Sequence, residues 1–427
     1  MMKAVIMAGG RGTRIASVAS DIPKPMIPVL GKPILEYQLQ VLKKNGYEDI
    51  LISIGYLGSV IRDYFKDGSS FGVHISYIEE TQPLGTAGAL YLMKEQLSAE
   101  QDFLLLNGDI IFDVDFERFY QAHQKMGGLV TLFTHPNSHP YDSGVIEVDE
   151  KHKVTRWLHK EDERIWYQNR VNAGLHFISA KLLEQFVQLE KRDLDRDILK
   201  PLIAKGELYA YDSPEYVKDM GTPDRLEAVA ADISNGIVEG KNLSKEQKAV
   251  FLDRDGTINE EVGFLSDIEQ LRLLPRAAEA VRRINESGYM AILVTNQPVV
   301  ARGEVSFAGL NQIHNKLETL LGEKGAYLDA IYFCPHHPNG GFAGEAAELK
   351  IVCDCRKPKP GMLYQAASDY HINLAESYMI GDAERDMLAG HAAGCHTIYI
   401  GADSANSKPQ EADRACSDLY EAVSTVL

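Results

Sequence analysis

Asp253 and Asp255 stand two residues apart in the stretch Phe251-Leu252-Asp253-Arg254-Asp255-Gly256-Thr257, directly after an apolar run. Two carboxylates at that spacing, in a loop leaving a strand, can turn toward one cation. Further along, Cys334-x-His336 and Cys353-x-Cys355 supply three thiols and one imidazole across sixteen intervening residues. That donor set suits a closed tetrahedral zinc site with no open catalytic position. A redox pair fits less well, because there is no Cys-x-x-Cys and Cys353 and Cys355 are too close for an easy mutual bridge. Core cysteines fit less well again, since the intervening stretch is rich in Gly, Ala and Glu.

Near the start, Gly9-Gly10-Arg11-Gly12-Thr13-Arg14 follows another apolar run. Its glycines let backbone N–H groups approach an anion, and its arginines add charge. No Gly-Lys-Ser/Thr follows, so it is not a P-loop, and the third glycine of the dinucleotide fingerprint is missing. On its own the loop is as compatible with a structural turn as with a phosphate cradle.

Strands and helices must hold these groups in place. The runs KAVIMA, DILISIGY, VHISYIE and DFLLLNGD are strand-like, and ILEYQLQVLKKNG between them has helical apolar spacing with a glycine stop. Such alternation implies a mainly parallel α/β sheet. KAVFLDRDGT starts the pattern again near residue 250, after the polar stretch ADISNGIVEGKNLSKEQ. The expected division is a first domain over 1–231, a linker over 232–247 and a second domain over 248–427. The two halves share no motif, so they are different domains and not a repeat.

A chain of 427 residues, 45% hydrophobic and 25% charged, is long enough for two or three cores. The net charge of −17 argues against a nucleic-acid or anionic-membrane surface. Cations that hold phosphates must then be concentrated at a few loops. No apolar run reaches the roughly 20 residues of a membrane span, and MMKAVIMAGGRG reads as a first strand and not a signal peptide. An odd count of five cysteines argues against a disulfide framework and makes the cytoplasm the default compartment.

An ordered set of motifs surrounds the first loop: Pro23-Lys24-Pro25-Met26, Pro28 to Pro33, Pro83-Leu84-Gly85-Thr86-Ala87-Gly88 and Leu106-Asn107-Gly108-Asp109. Together they resemble the sugar-1-phosphate nucleotidyltransferases, particularly the guanylyltransferase branch, over about residues 2–230. The resemblance implies a Rossmann-like sheet and in-line attack of a sugar phosphate oxygen on the α-phosphorus of GTP. It implies that Gly9, Gly10, Gly12, Thr13 and Arg14 wrap the triphosphate and that Lys24 reaches the reacting phosphates. Gly85 and Thr86 would meet the base and ribose, and Asp109 and Asp219 would hold Mg2+. Asn172 would line the sugar pocket. Lys160 would hold the sugar phosphate in Leu158-His159-Lys160-Glu161, where the family commonly has Glu-Lys-Pro.

The second half resembles the haloacid dehalogenase superfamily on four ordered pieces: the Asp253 motif, Ala291 to Gln297, Lys357, and Ile380-Gly381-Asp382-Ala383-Glu384-Arg385-Asp386. That resemblance implies a second Rossmannoid sheet. It makes Asp253 the nucleophile and Asp255 the general acid and base. Thr295 and Lys357, with Asn296 nearby, would hold the phosphoryl group, and Asp253, Asp255 and Asp382 would hold Mg2+. Asp386 is expected either to orient this shell or to cap a helix. The zinc-clipped loop is similar to that of the branch containing heptose bisphosphate and histidinol phosphatases. There the Cys-x-His spacing selects Cys334, His336, Cys353 and Cys355 as ligands and passes over His337. Arg356 and Lys357 leave the clip directly as phosphate-binding cations, and Arg302 is the candidate for a second phosphate. Pro298-Val299 stands where many relatives have a small Ser-Gly pair.

Joined, the two resemblances imply small-molecule substrates: heptose 1,7-bisphosphate, heptose 1-phosphate and GTP. They imply neither nucleic acid nor membrane as partner and leave homo-oligomerisation open. Competing readings are a mannose-1-phosphate guanylyltransferase fused to a histidinol-phosphate-type phosphatase, an adenylyl or cytidylyl donor, and a domain that only senses sugar nucleotide.

Overall fold

Strand Ala4–Met7 reads AVIM, and its side chains divide between two cores: Ala4 and Ile6 enter one apolar cluster, Val5 the other. A strand covered on both faces has no polar side, so its sequence is continuously apolar. In the computed structural model, which describes residues 2–10, 22–401 and 408–427, this strand is central to a nine-stranded sheet. It pairs in parallel with Asp49–Ile54 and Asp102–Asn107, and His74–Glu79 extends the sheet beyond Asp49–Ile54. Val171–Ser179 runs antiparallel to Asp102–Asn107 and leads to Val145–Val148 and Val154–Leu158. Two parallel strands beside the first put their carboxyl ends at one edge, where open α/β sheets bind ligands.

The second sheet has six strands, all parallel, in the order Ala330–Cys334, Tyr289–Asn296, Lys248–Leu252, Tyr378–Gly381, His396–Ile400 and Arg414–Cys416. Again both faces are buried, with Val250 and Leu252 in one cluster and Ala249 and Phe251 in the other. The strand order reverses around Lys248–Leu252, so the chain leaves its carboxyl end at a topological switch point.

The chain forms two compact units that differ from its two sequence halves. The first comprises Met1–His135, Ile146–Trp157 and Asn172–Asn242; the second comprises Pro136–Val145, Leu158–Val171 and Leu243–Leu427. The first unit ends at Asn242. Helix Pro223–Ser234 precedes this end, Ile237–Gly240 adds another turn, and Lys241, Asn242 and Leu243 are buried. Asn242 Nδ2 donates to the buried Asp113 Oδ1 at 2.6 Å.

Within the second unit, the two short segments lie against helix Phe307–Gly322. This helix buries Lys316, Glu318 and Thr319 in addition to its apolar face. Arg170 Nη1 meets Glu318 Oε1 at 3.1 Å, both almost fully buried, and also donates to the carbonyl of Asn169 at 2.8 Å. Tyr167 N donates to Thr319 Oγ1 at 3.1 Å. Among the described residues, no helix is long and apolar enough to cross a membrane.

Candidate functional site: two sheet edges and a metal cluster

Asp253 follows strand Lys248–Leu252 and is 3% exposed. Its neighbours leave the same sheet edge: Thr295 and Asn296 end strand Tyr289–Asn296, and Asp382 follows Tyr378–Gly381. Gly256 turns the chain with φ +77°, and a side chain there would collide with the Asp382 carboxylate. Only glycine serves both the turn and that close approach.

Lys357 is fully buried between two of these acids, with Nζ 2.9 Å from Asp253 Oδ1 and 2.7 Å from Asp386 Oδ1. It also donates to the Val294 carbonyl at 2.8 Å. Burial alone would lower its pKa, but the two carboxylates outweigh it and the ammonium is held above its usual range. Asp386 caps helix Glu384–Ala393, one of the two roles expected for it: Oδ2 accepts from Ala383 N at 3.1 Å, while Oδ1 meets Lys357.

Asp255 is held quite differently. Arg254, with no exposed surface, donates from Nε and Nη2 to Asp255 Oδ1 at 3.1 and 3.0 Å. Asn259 Nδ2 and Gln297 Nε2 each add a bond of 2.9 Å. Burial pushes the Asp255 carboxyl up, but Arg254 and these hydrogen bonds more than offset it, and the pKa lies below the usual range. Gln297 ties the group together, accepting from Arg254 Nη2 at 2.9 Å and donating to Thr295 Oγ1 at 3.0 Å. These residues were not foreseen, although Arg254 sits between the two aspartates. A buried arginine is rare, and its sequence neighbours do not disclose its burial.

Asp253, Asp382 and Asp386 can bring one oxygen each within 4.8 Å of the others. Asp382 Oδ1 is buried without a hydrogen-bond partner. Burial, then the charges of Asp253 and Asp386, push the Asp382 carboxyl up to about 7. Crowded carboxylates with an orphaned oxygen fit a divalent cation. A cavity of about 180 Å³ opens over Asp253, Asp255, Thr295 and Gln297, with Arg356 and Arg385 also in its wall. Arg385 is a further residue that the sequence did not single out.

Of two further expected ligands, Asn296 lines the cavity and Arg302 does not. Asn296 donates from Nδ2 to the Lys357 carbonyl at 2.9 Å, and its Oδ1 accepts from Lys357 N at 3.0 Å. Its amide therefore fixes the main chain that carries Lys357. Arg302 is absent from the cavity wall and lies between two aromatic rings.

Strand Ala330–Cys334 brings Cys334 to the same edge, opposite Asn296. Cys334, His336, Cys353 and Cys355 place their donor atoms within 4.8 Å of one another. Cys353 Sγ lies 3.5 Å from Cys334 Sγ and 3.3 Å from Cys355 Sγ, and His336 Nδ1 lies 3.3 Å from Cys355 Sγ. Tetrahedral metal–sulfur bonds of about 2.3 Å would put sulfurs about 3.8 Å apart, so little movement would close the cluster on an ion. His337 turns away, with Nδ1 3.1 Å from the Asn339 carbonyl.

In the first unit, Gly9 and Asp109 leave the same edge of the large sheet. A side chain at Gly9 would collide with the carboxylate of Glu80, another residue that sequence reasoning passed over. Lys24 Nζ lies 2.5 Å from Asp109 Oδ2. Strand Tyr216–Asp219 pairs antiparallel with Ile110–Asp113, and Met220 N donates to the Asp109 carbonyl at 3.0 Å, which brings the Asp219 segment beside Asp109. Asp219 Oδ1 meets Arg225 Nη1 at 2.7 Å. Main-chain pairing thus brings the Asp219 segment, with its Arg225 ion pair, beside the segment that carries the Lys24–Asp109 pair.

The Gly85-Thr86 loop is docked by Thr86 Oγ1, which accepts from Leu194 N at 2.7 Å. Asn172 Oδ1 accepts from Gly174 N at 3.2 Å and lies 3.1 Å from His176 Nε2. Gly10 is exposed, whereas Gly12, Thr13 and Arg14 lie outside the described residues. Lys160 is exposed in Leu158–Val171, a segment of the second unit.

Comparison with known proteins agrees with both halves. A family model described as Nucleotidyl transferase matches residues 3–236, and one described as HAD-hydrolase-like matches 354–422. The chain is 31% identical over 226 residues to a rice protein named "Probable mannose-1-phosphate guanylyltransferase 1", covering 52% of this chain and 62% of that one. It is 41% identical over 158 residues to the D-glycero-β-D-manno-heptose-1,7-bisphosphate 7-phosphatase of Salmonella typhi, covering 37% of this chain and 82% of the relative. Among solved structures, HddC from Yersinia pseudotuberculosis superimposes with a TM-score of 0.48 at 25% identity, over 55% of this chain and all of that one. The chain therefore belongs to the nucleotidyl transferase family through residues 3–236, and carries behind that match a phosphatase of the haloacid dehalogenase superfamily.

Proposed function

We propose that the chain performs two consecutive reactions on one sugar. It removes the C7 phosphate of D-glycero-α-D-manno-heptose 1,7-bisphosphate. It then transfers GMP from GTP to the resulting heptose 1-phosphate and releases pyrophosphate. One observation carries this reading: an Asp253–Asp255 phosphatase site and a nucleotidyl transferase are joined in one chain. A phosphatase that spares the anomeric phosphate makes what a sugar-1-phosphate nucleotidyltransferase consumes. The Salmonella relative, which its name places on the β anomer, suggests the heptose and not its anomer; the rice relative suggests the nucleotide. The α anomer is our own assignment, made because the product must feed the transfer step. In this reading residues 1–231 carry the transfer, 248–427 the hydrolysis, and 232–247 join them.

In the hydrolytic step Asp253 attacks phosphorus and forms an aspartyl phosphate, which water then cleaves. Lys357, held in line by Asp386 and Val294, stabilises charge on the transferring group together with the Thr295 hydroxyl. Asp255 gives a proton to the departing sugar oxygen and later takes one from water; Arg254, Asn259 and Gln297 fix where that proton is held. Mg2+, held by Asp253, Asp382 and the Asp255 main chain, would supply the charge neutralisation that lets two anions meet. Zn2+ is the ion we assign to Cys334, His336, Cys353 and Cys355, in a closed structural role.

In the transfer step Lys24 and Arg14 neutralise the phosphates while the sugar phosphate oxygen attacks the α-phosphorus. Asp109 and Asp219 would hold a second Mg2+, which supplies charge compensation for the leaving pyrophosphate. The test is to supply each anomer of the heptose 1,7-bisphosphate and, separately, mannose 1-phosphate, with Mg2+ and each nucleoside triphosphate, following phosphate and pyrophosphate separately. Phosphate from the α anomer, followed by pyrophosphate with GTP alone, is expected. No phosphate from either anomer, or pyrophosphate only with mannose 1-phosphate, would refute the reading.

A further inference from the structure

Arg302 lies in the loop that follows strand Tyr289–Asn296. Its guanidinium carbon is 3.7 Å from the centre of the Phe264 ring and 4.3 Å from that of Phe342. At its edge, Nη2 meets Glu304 Oε1 at 2.7 Å, and the side chain is only 15% exposed. A guanidinium with a ring on each face keeps only its edge for anions, and Glu304 already takes part of that edge.

The two rings belong to loops with different work. Phe264, together with Glu261, Gly263 and Leu265, forms one wall of the phosphatase cavity. Phe342 belongs to the loop between His336 and Cys353, inside the metal cluster's own span. Its backbone is fixed locally: Glu345 Oε2 accepts from Gly341 N at 2.9 Å and from Phe342 N at 3.0 Å, and pairs with Lys350 Nζ at 3.1 Å. The Arg302 loop also touches the metal loop through its main chain. Ala346 N donates to the Ala301 carbonyl at 3.0 Å. At Gly303, with φ +74°, any side chain would collide with the Gly344 carbonyl.

We propose that Arg302 is a positioning residue of the phosphatase, a flat cationic staple between the cavity wall at Phe264 and the metal loop at Phe342. Through it the metal cluster sets the shape of the wall against which the sugar lies. This inference rests on the phosphatase reading above and replaces the expectation that Arg302 binds the substrate's second phosphate. The two roles differ in their chemistry. A phosphate ligand needs charge, which lysine keeps; a staple needs a plane, which lysine lacks.

The test uses the full chain with Arg302→Lys, Phe264→Leu and the double variant. Steady-state phosphate release is measured on heptose 1,7-bisphosphate and on heptose 7-phosphate. The staple predicts that Arg302→Lys raises KM by the same factor, about tenfold, for both substrates while kcat moves less than about threefold. Phe264→Leu should act similarly, and the double variant should be no worse than the poorer single one. Hydrogen exchange should quicken over 260–265 and 342–346 and stay unchanged over Tyr289–Asn296. A KM loss confined to the bisphosphate, additive effects, or unaltered exchange in the two loops would each overturn the proposal. If the wild-type chain hydrolyses neither sugar phosphate, the functional reading fails, whereas the exchange comparison, which needs no substrate, still decides the staple.

Discussion

At Asp253 the carboxylate meets Lys357 Nζ at 2.9 Å and the Arg254 amide at 2.7 Å, while Asp255 is wrapped by Arg254, Asn259 and Gln297. In the proposed reaction the first arrangement would present a nucleophile beside a cation, and the second would orient the group that exchanges protons. Asp253→Asn keeps the shape and removes the nucleophile. Phosphate release should fall by at least about 1,000-fold, with pyrophosphate release from heptose 1-phosphate and GTP unchanged. Equal loss of both activities would contradict separate sites. A second prediction concerns His176, which burial pushes down to about 3. The unfolded chain binds a proton there below about pH 6.5 while the native state does not. The stability contribution of this depressed group is thus present above pH 6.5 and lost as pH falls, at about 1.4 kcal/mol per pH unit. In urea titrations between pH 6.5 and 5.0, His176→Gln should lose less stability than the wild type; parallel slopes would contradict this.

Among elements, helix Phe307–Gly322 has an unusual load: it buries Glu318 against Arg170 and Thr319 against Tyr167. A buried pair contributes little net stability, but removal of one partner strands the other charge. Glu318→Gln should destabilise the second unit by about 3–5 kcal/mol, read as a lowered midpoint in urea; a change under about 1 kcal/mol would show that Arg170 finds other compensation. The metal loop carries the other element-scale prediction. Cys353→Ser should lose the bound metal by elemental analysis, because the remaining donors cannot close a tetrahedron. Stoichiometric zinc in the purified variant would rule out this ligand set.

For the whole molecule, the compact units predict how it can be cut. A fragment starting at Leu243 carries the entire six-stranded sheet but lacks Pro136–Val145 and Leu158–Val171, which belong to the same unit. It should melt at lower temperature than that unit does in the full chain and exchange amide hydrogens faster along Phe307–Gly322. Equal melting and protection would show that the two segments contribute nothing to the unit's stability. Residues inside the family match of 3–236 therefore complete the second unit.

What the sequence determined by itself is what contiguous residues specify. Alternating strands and helices, the Asp253-x-Asp255 turn and the Cys334-x-His336 and Cys353-x-Cys355 pairs were all legible, because backbone pattern and donor chemistry are local properties. Partner choice was not. Nothing adjacent to Lys357 shows that it is buried between Asp253 and Asp386, and nothing adjacent to Arg302 shows that rings from two distant loops cover it. Arg254 reads as a loop charge until folding removes all its exposed surface. The membership of Leu158–Val171 in the second unit is likewise invisible in a segment that reads as part of the first. Charged side chains in particular can end in solvent, on an acid or on a ring at similar local cost. Only long-range packing, which decides which groups lose water together, selects among these.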